Sequence, residues 1–230
     1  GGEELRDTLC RESVTYTVRR NNIEVTASHR FCNAAPVTIA IYYGMQSMFE
    51  GETHVLTPGG AYTDWTEVAK ASTFTKQEHP LFRRYVEKNR QGYQSTWLLP
   101  DGLGDHALLD GQDDIFIYAP YGKSYHKLIG NKRMENGDKT CWRGVYTWFE
   151  TPIADDADLL CYEGSVGGHT AVFIDCKRAC KRTLALPGYL DLRHFGTAEQ
   201  NSGIRISAAG RNKLKIKAGA PGSCVLLLRE

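Results

Sequence analysis

Cys141-Trp142-Arg143-Gly144-Val145-Tyr146-Thr147-Trp148-Phe149-Glu150 reads as one β-strand. Aromatic and β-branched residues dominate it, no proline interrupts it, and such residues suit a pleated, covered surface. Side chains alternate across a strand, so Trp142, Gly144, Tyr146 and Trp148 point to one side while Cys141, Val145 and Phe149 point to the other. The Val145/Phe149 side is the natural core face. The opposite side carries three aromatics with a glycine gap between Trp142 and Tyr146, a shape that suits the flat face of a ring. Core packing is the competing reading of this row, because a strand covered on both sides collects the same residue types.

Working outward, the same alternation recurs along the chain. Val14, Tyr16 and Val18 share a face, Arg20-Asn21-Asn22 turns the chain, and Ile23, Val25, Ala27, His29 and Phe31 share the next face, a hairpin signal with asparagines suited to positive φ. After Asn33-Ala34-Ala35-Pro36 a long strand runs from Val37 to Phe49. Further strands are expected over 93–99, 114–119, 159–163, 171–175, 182–186, 204–208, 213–217 and 224–228, with turns such as Asn136-Gly137 and Pro221-Gly222 between them. Between residues 50 and 94 the periodicity breaks, and the spacing there predicts a long excursion with one short helix over 80–89. About a dozen strands and few helices predict an all-β fold, a large antiparallel two-sheet β-sandwich of supersandwich or jelly-roll type. It spans 13–230 as one domain behind a polar arm over 1–12, a size that single β-sandwiches reach.

Charged residues make up 24% of the 230 and the net charge is +1, which gives no compositional sign of disorder or of a polyanion-binding surface. No nucleic-acid partner is expected. No apolar run approaches the roughly 20 residues that span a bilayer, and Gly1-Gly2-Glu3-Glu4 lacks the basic and apolar segments of a secretory leader. Seven cysteines cannot all pair within one chain. Cys176 and Cys180 have C-x3-C spacing without the second close pair of a four-ligand zinc site, so a disulfide among the seven or buried thiols stand as the other readings.

Named catalytic motifs are missing. Glu163-Gly164-Ser165-Val166-Gly167 does not match the serine-nucleophile elbow, no phosphate-binding glycine loop occurs, and Asp105, Asp110, Asp113 and Asp114 lack calcium-loop spacing. Neither a cofactor nor a metal is expected. Two histidine segments remain: His106, preceded by Gly102, Gly104 and Asp105, and His126, set among Tyr121, Lys123 and Tyr125. Aromatic platforms surrounded by His, Arg, Lys and carboxylates suit a sugar, whose ring faces pack on aromatic rings while its hydroxyls need directional partners. For acid/base chemistry on such a ligand, Glu150 is the candidate base and His106 or His126 the candidate acid.

The long strands through Ile23 to Phe31 and Val37 to Phe49, with Tyr42-Tyr43-Gly44-Met45-Gln46 and the later aromatic strands, resemble the galactose-mutarotase-like supersandwich over about residues 13–230. That class includes aldose epimerases and the β-domains of polysaccharide lyases and glycoside hydrolases, so the resemblance implies a carbohydrate ligand. The Asn-His and Phe-Asn-Leu signature of the epimerases does not occur here, and the resemblance therefore assigns no catalytic residue. The expected partner is a mono- or oligosaccharide held by Trp142, Tyr146, Trp148, Tyr125, Arg143, Lys123 and Gln46. The alternative is a non-catalytic accessory or interaction domain. A deep pocket joining histidine and carboxylate separates the enzyme from the binding module.

Overall fold

The computed structural model describes residues 8–48, 53–100, 107–119, 122–200 and 203–228. Among them are nineteen strands and a single 3-10 turn at Val68–Lys70. The first eight strands are β1 (Cys10–Arg19), β2 (Asn22–Phe31), β3 (Val37–Met48), β4 (His54–Leu56), β5 (Thr66–Glu67), β6 (Phe74–Thr75), β7 (Arg84–Asn89) and β8 (Gly92–Leu98). Next come β9 (Asp114–Ala119), β10 (Lys123–Met134), β11 (Lys139–Phe149), β12 (Ala154–Asp155), β13 (Leu159–Val166) and β14 (His169–Cys176). The last five are β15 (Cys180–Ala185), β16 (Phe195–Gln200), β17 (Ile204–Ala208), β18 (Lys213–Ala218) and β19 (Gly222–Leu228). The ladders are antiparallel, with one isolated parallel bridge between Leu108 and Ile129. The chain is thus the all-β antiparallel sandwich that its alternation predicts.

Its sheets number four rather than two. Seven strands pair in the order β1-β2-β11-β8-β7-β4-β5, four as β3-β10-β9-β6, five as β12-β13-β14-β19-β16 and three as β15-β18-β17. Strand alternation sets how they stack. Leu159, Cys161, Val172 and Ile174 face the three-stranded sheet and pack with Leu214 and Ile216, while their neighbours Leu160, Tyr162, Ala171 and Phe173 pack with Val86, Trp97 and Val145 of the seven-stranded sheet. The other side of that sheet, through Val25, Ala27, Leu98 and Trp142, meets Met45 and Leu128 of the four-stranded one. The layers therefore run four, seven, five and three strands, and both middle sheets are covered on two faces.

Two expectations are corrected. Residues 84–89 form no helix; they are β7, a strand inside the largest sheet. The excursion over 50–94 also supplies β4, β5 and β8 to that sheet, so it is a part of the layer itself. The first hairpin is as expected, with Arg19 opposite Asn22, but the positive φ falls on Arg20 (44°) rather than on an asparagine. Asn22 is instead buried, and its Nδ2 donates to Thr147 Oγ1 and to the Ser165 carbonyl, each at 2.9 Å. That ties the seven-stranded sheet to the five-stranded one.

Candidate functional site

A groove of about 990 Å³ opens at the end of β11, and Asn21, Met48, Gln91, Gln94, Trp148 and Glu150 are among the residues that line it. Local structure fixes four of them. Asn21 sits in the two-residue turn between β1 and β2, where its Nδ2 donates to the Trp148 carbonyl at 2.7 Å. The Trp148 amide donates back to the Asn21 carbonyl at 2.9 Å. That reciprocal pair holds the tryptophan backbone, and its ring stacks on Tyr146 at 5.9 Å and 21°. Trp148 remains 37% exposed.

The opposite wall comes from the β7–β8 hairpin. Asn89 pairs with Gly92 across a two-residue turn, closed by the Gln91 backbone N–H donating to Asn89 Oδ1 at 2.8 Å. Gly92 has φ 136°, and a Cβ there would lie 3.0 Å from the Phe149 carbonyl oxygen, so this corner of the groove requires glycine. Gln94 lies opposite Trp148 in the ladder. The groove thus presents one open indole, three amide side chains and one carboxylate.

Beneath it, sealed between the seven- and four-stranded sheets, lies a polar cluster that sequence reading missed. Glu87 is opposite Gln94; its Oε2 accepts from Ser47 Oγ at 2.5 Å and its Oε1 from Ser124 Oγ at 2.6 Å. Tyr85 Oη donates to the Ser124 carbonyl at 3.2 Å. Burial pushes the Glu87 carboxyl above its ordinary value against the pull of the two serine hydroxyls, and raises the Tyr85 phenol as well. Glu87 is 1% exposed.

A second cluster flanks the groove through Tyr93. Asp155 accepts from Trp65 Nε1 at 2.9 Å, Lys88 Nζ at 3.0 Å, Tyr93 Oη at 3.1 Å and Lys177 Nζ at 2.8 Å. Burial opposes its charge, yet the donors together, Lys177 first, hold the carboxyl down at about 2. Lys88 Nζ also lies 4.0 Å from the Trp65 ring centre. Asp155 is saturated with donors from several elements and acts as a pin between sheets.

The structure distributes the expected site residues unevenly. Trp148 and Glu150 come together on the groove, and Tyr146 stands behind Trp148, its Oη accepting from the Gln46 backbone N–H at 3.0 Å, with burial raising the phenol to about 12. Trp142 is 7% exposed and part of the core, its Nε1 donating to Tyr42 Oη at 3.1 Å. The glycine gap beside it is no opening: Met45 fills it, because a Cβ on Gly144 would collide with the Met45 sulfur. Tyr125 is buried and packs on Tyr43 at 4.8 Å, with Gln46 as its ladder partner. Lys123 lies opposite Met48 near the groove. Arg143 falls on the other face of β11 from Trp148, by alternation.

His126 does not reach the groove. It is fully buried, with its ring between Phe82 and Tyr85 at 5.0 and 5.1 Å. His106 and Tyr121 lie outside the described residues. Asn21, Gln91 and Gln94 were missed, because only the ladder register places them beside Trp148. Among the described residues, no group of three or more His, Cys, Asp or Glu side chains gathers to hold a metal. Cys161, Cys176 and Cys224 are thiols in the apolar core, where burial raises Cys161 and Cys176 far above their ordinary value.

No family model, curated protein or solved structure matches this chain. The likeness to the galactose-mutarotase class therefore stands on strand pattern alone.

Proposed function

We propose that the groove at the end of β11 binds a carbohydrate, a neutral mono- or oligosaccharide, without turning it over. The observation that supports this reading is the half-open Trp148 indole flanked by Asn21, Gln91 and Gln94. A sugar offers a C–H face that packs on an indole and hydroxyls that both donate and accept. Amides answer the hydroxyls in both roles, since each carries an oxygen acceptor and an NH₂ donor. Glu150 is the one carboxylate among the described lining residues, whereas glycoside hydrolysis uses two on opposite sides of the bond. Binding as an accessory domain is accordingly favoured over catalysis.

Calorimetric titration of the chain with neutral mono- and oligosaccharides tests it. Trp148→Ala is expected to abolish the heat of binding, and Gln91→Ala or Gln94→Ala to weaken affinity by roughly fivefold each, the worth of about one hydrogen bond. Glu150→Gln should bind within about twofold of the parent, a change well under 1 kcal/mol. Absence of binding by every neutral sugar, or binding that Trp148→Ala leaves intact, refutes the assignment.

A further inference from the structure

The three-stranded sheet at the far end of the stack packs Leu184, Leu214, Ile216 and Ile204 inward. Its outer face is cationic. Alternation along β18 sends Lys213, Lys215 and Lys217 to solvent, and the ladder sets Lys181, Lys217 and Arg205 directly opposite one another across all three strands. The next row is Thr183, Lys215 and Ser207. All of these side chains are exposed, and a shallow depression of about 730 Å³ lies over them. No carboxylate occurs in β15, β17 or β18. Among the described residues Lys181, Arg205, Lys213, Lys215 and Lys217 have no ion-pair partner, in contrast to Arg182, which pairs with Asp156 and Asp158.

Folding alone does not favour this arrangement. Lysine is depleted in strands, and like charges directly opposite each other destabilise a ladder. Lysines commonly guard edge strands against mispairing, but β18 is the middle strand of its sheet. The near-neutral whole chain, with 28 basic and 27 acidic residues, conceals the patch because composition averages over faces. The expectation of no polyanion-binding surface rested on that average.

We infer that this face binds a linear anionic polysaccharide, bearing carboxylate or sulfate groups, laid along β18. The lysines of that strand recur at about 6.7 Å, twice the rise per residue, and so form a regular ladder of positive charge for a regularly charged chain. The hydroxyls of Thr183 and Ser207 flank Lys215 and offer donors and acceptors to sugar hydroxyls. Single-stranded nucleic acid fits less well, since none of the three strands carries an aromatic ring on which a base could stack. The site stands apart from the Trp148 groove and does not depend on what that groove holds.

The test is binding of the whole chain to polygalacturonate and to dextran sulfate, with uncharged dextran and oligo-dT as comparators, over a salt series starting near 50 mM, where charge contacts are little screened. Both anionic glycans should bind and dextran should not. The triple variant Arg205→Gln/Lys215→Gln/Lys217→Gln should lose at least about tenfold in affinity and flatten the log–log salt slope by about 2 to 3. Lys215→Arg/Lys217→Arg should bind like the parent, and so should Trp148→Ala. Removing the exposed row Arg11, Arg30 and Lys139, which also lie opposite one another, should change affinity by less than about twofold, far below the tenfold expected for three lost charge contacts. The inference is overturned by no binding of either glycan, by equal losses in the two triple variants, by loss in Trp148→Ala, or by tighter binding of oligo-dT than of the glycans.

Discussion

The two faces of β11 carry different aromatic cargo, Phe149 on one and Trp142, Tyr146 and Trp148 on the other, and meet different ends. Toward the five-stranded sheet everything closes: Phe149, Tyr162 and Phe173 stack at 4.4 and 4.8 Å, Trp97 meets Phe173 edge-on, and the buried Arg84–Asp175 ion pair lies beside them, its guanidinium 5.1 Å from the Phe173 ring centre. Toward the four-stranded sheet the row opens progressively from buried Trp142, through Tyr146, to Trp148. Val14, Tyr16 and Val18 of the edge strand β1 are exposed as well. Residue type makes an aromatic row, and position along the strand decides which of its members become surface.

Breaking the closed face should cost most. Arg84→Ala removes the ion-pair partner of the buried Asp175 carboxylate, and we expect a loss of about 3–5 kcal/mol in urea unfolding; a loss under about 1 kcal/mol would mean that this layer is open to water. On the other face, Gly144→Val drives a side chain into Met45 and should cost about 1–3 kcal/mol while sparing sugar binding. If the variant instead stays stable and loses binding, the gap beside Trp142 is a ligand seat after all.

Asp155 pins the closed face, between the five- and seven-stranded sheets, and its contribution depends on pH. Its folded value of about 2 lies below the ordinary 3.8, so its stabilising contribution is complete above that ordinary value and disappears as pH falls from about 4 to about 2. The difference corresponds to about 2 kcal/mol. Urea melts across this range should show that decline in the parent and a flatter profile in Asp155→Asn. Trp148→Ala is expected to cost about 2 kcal/mol, less than truncation of a fully buried indole, because over a third of the side chain is already in water.

The alternation of β2, β9, β11, β17 and β18 was plain in the sequence, because each has one clearly apolar face or a continuous aromatic run. Strand β7 was not. Arg84, Glu87 and Lys88 look like exposed helix residues until their partners are known, and Asp175, Ser47 and Asp155 come from distant parts of the chain. Strand β10 was hidden in the same way: it buries Lys127 against Asp113 at 2.7 Å and carries bulges at Tyr125/Lys127 and Lys127/Ile129, which scramble its period of two. Of the groove, Trp148 and Glu150 were legible from one strand. Asn21, Gln91 and Gln94 are brought to them only by pairing.

Tryptophan fluorescence under sugar titration tests most directly whether the row opens at Trp148. A saturable change is expected in the parent and in Trp142→Phe, and none in Trp148→Phe. A response that survives in Trp148→Phe and vanishes in Trp142→Phe would instead place the ligand beside Trp142, where the four-stranded sheet packs over the row, and would overturn the assignment to Trp148.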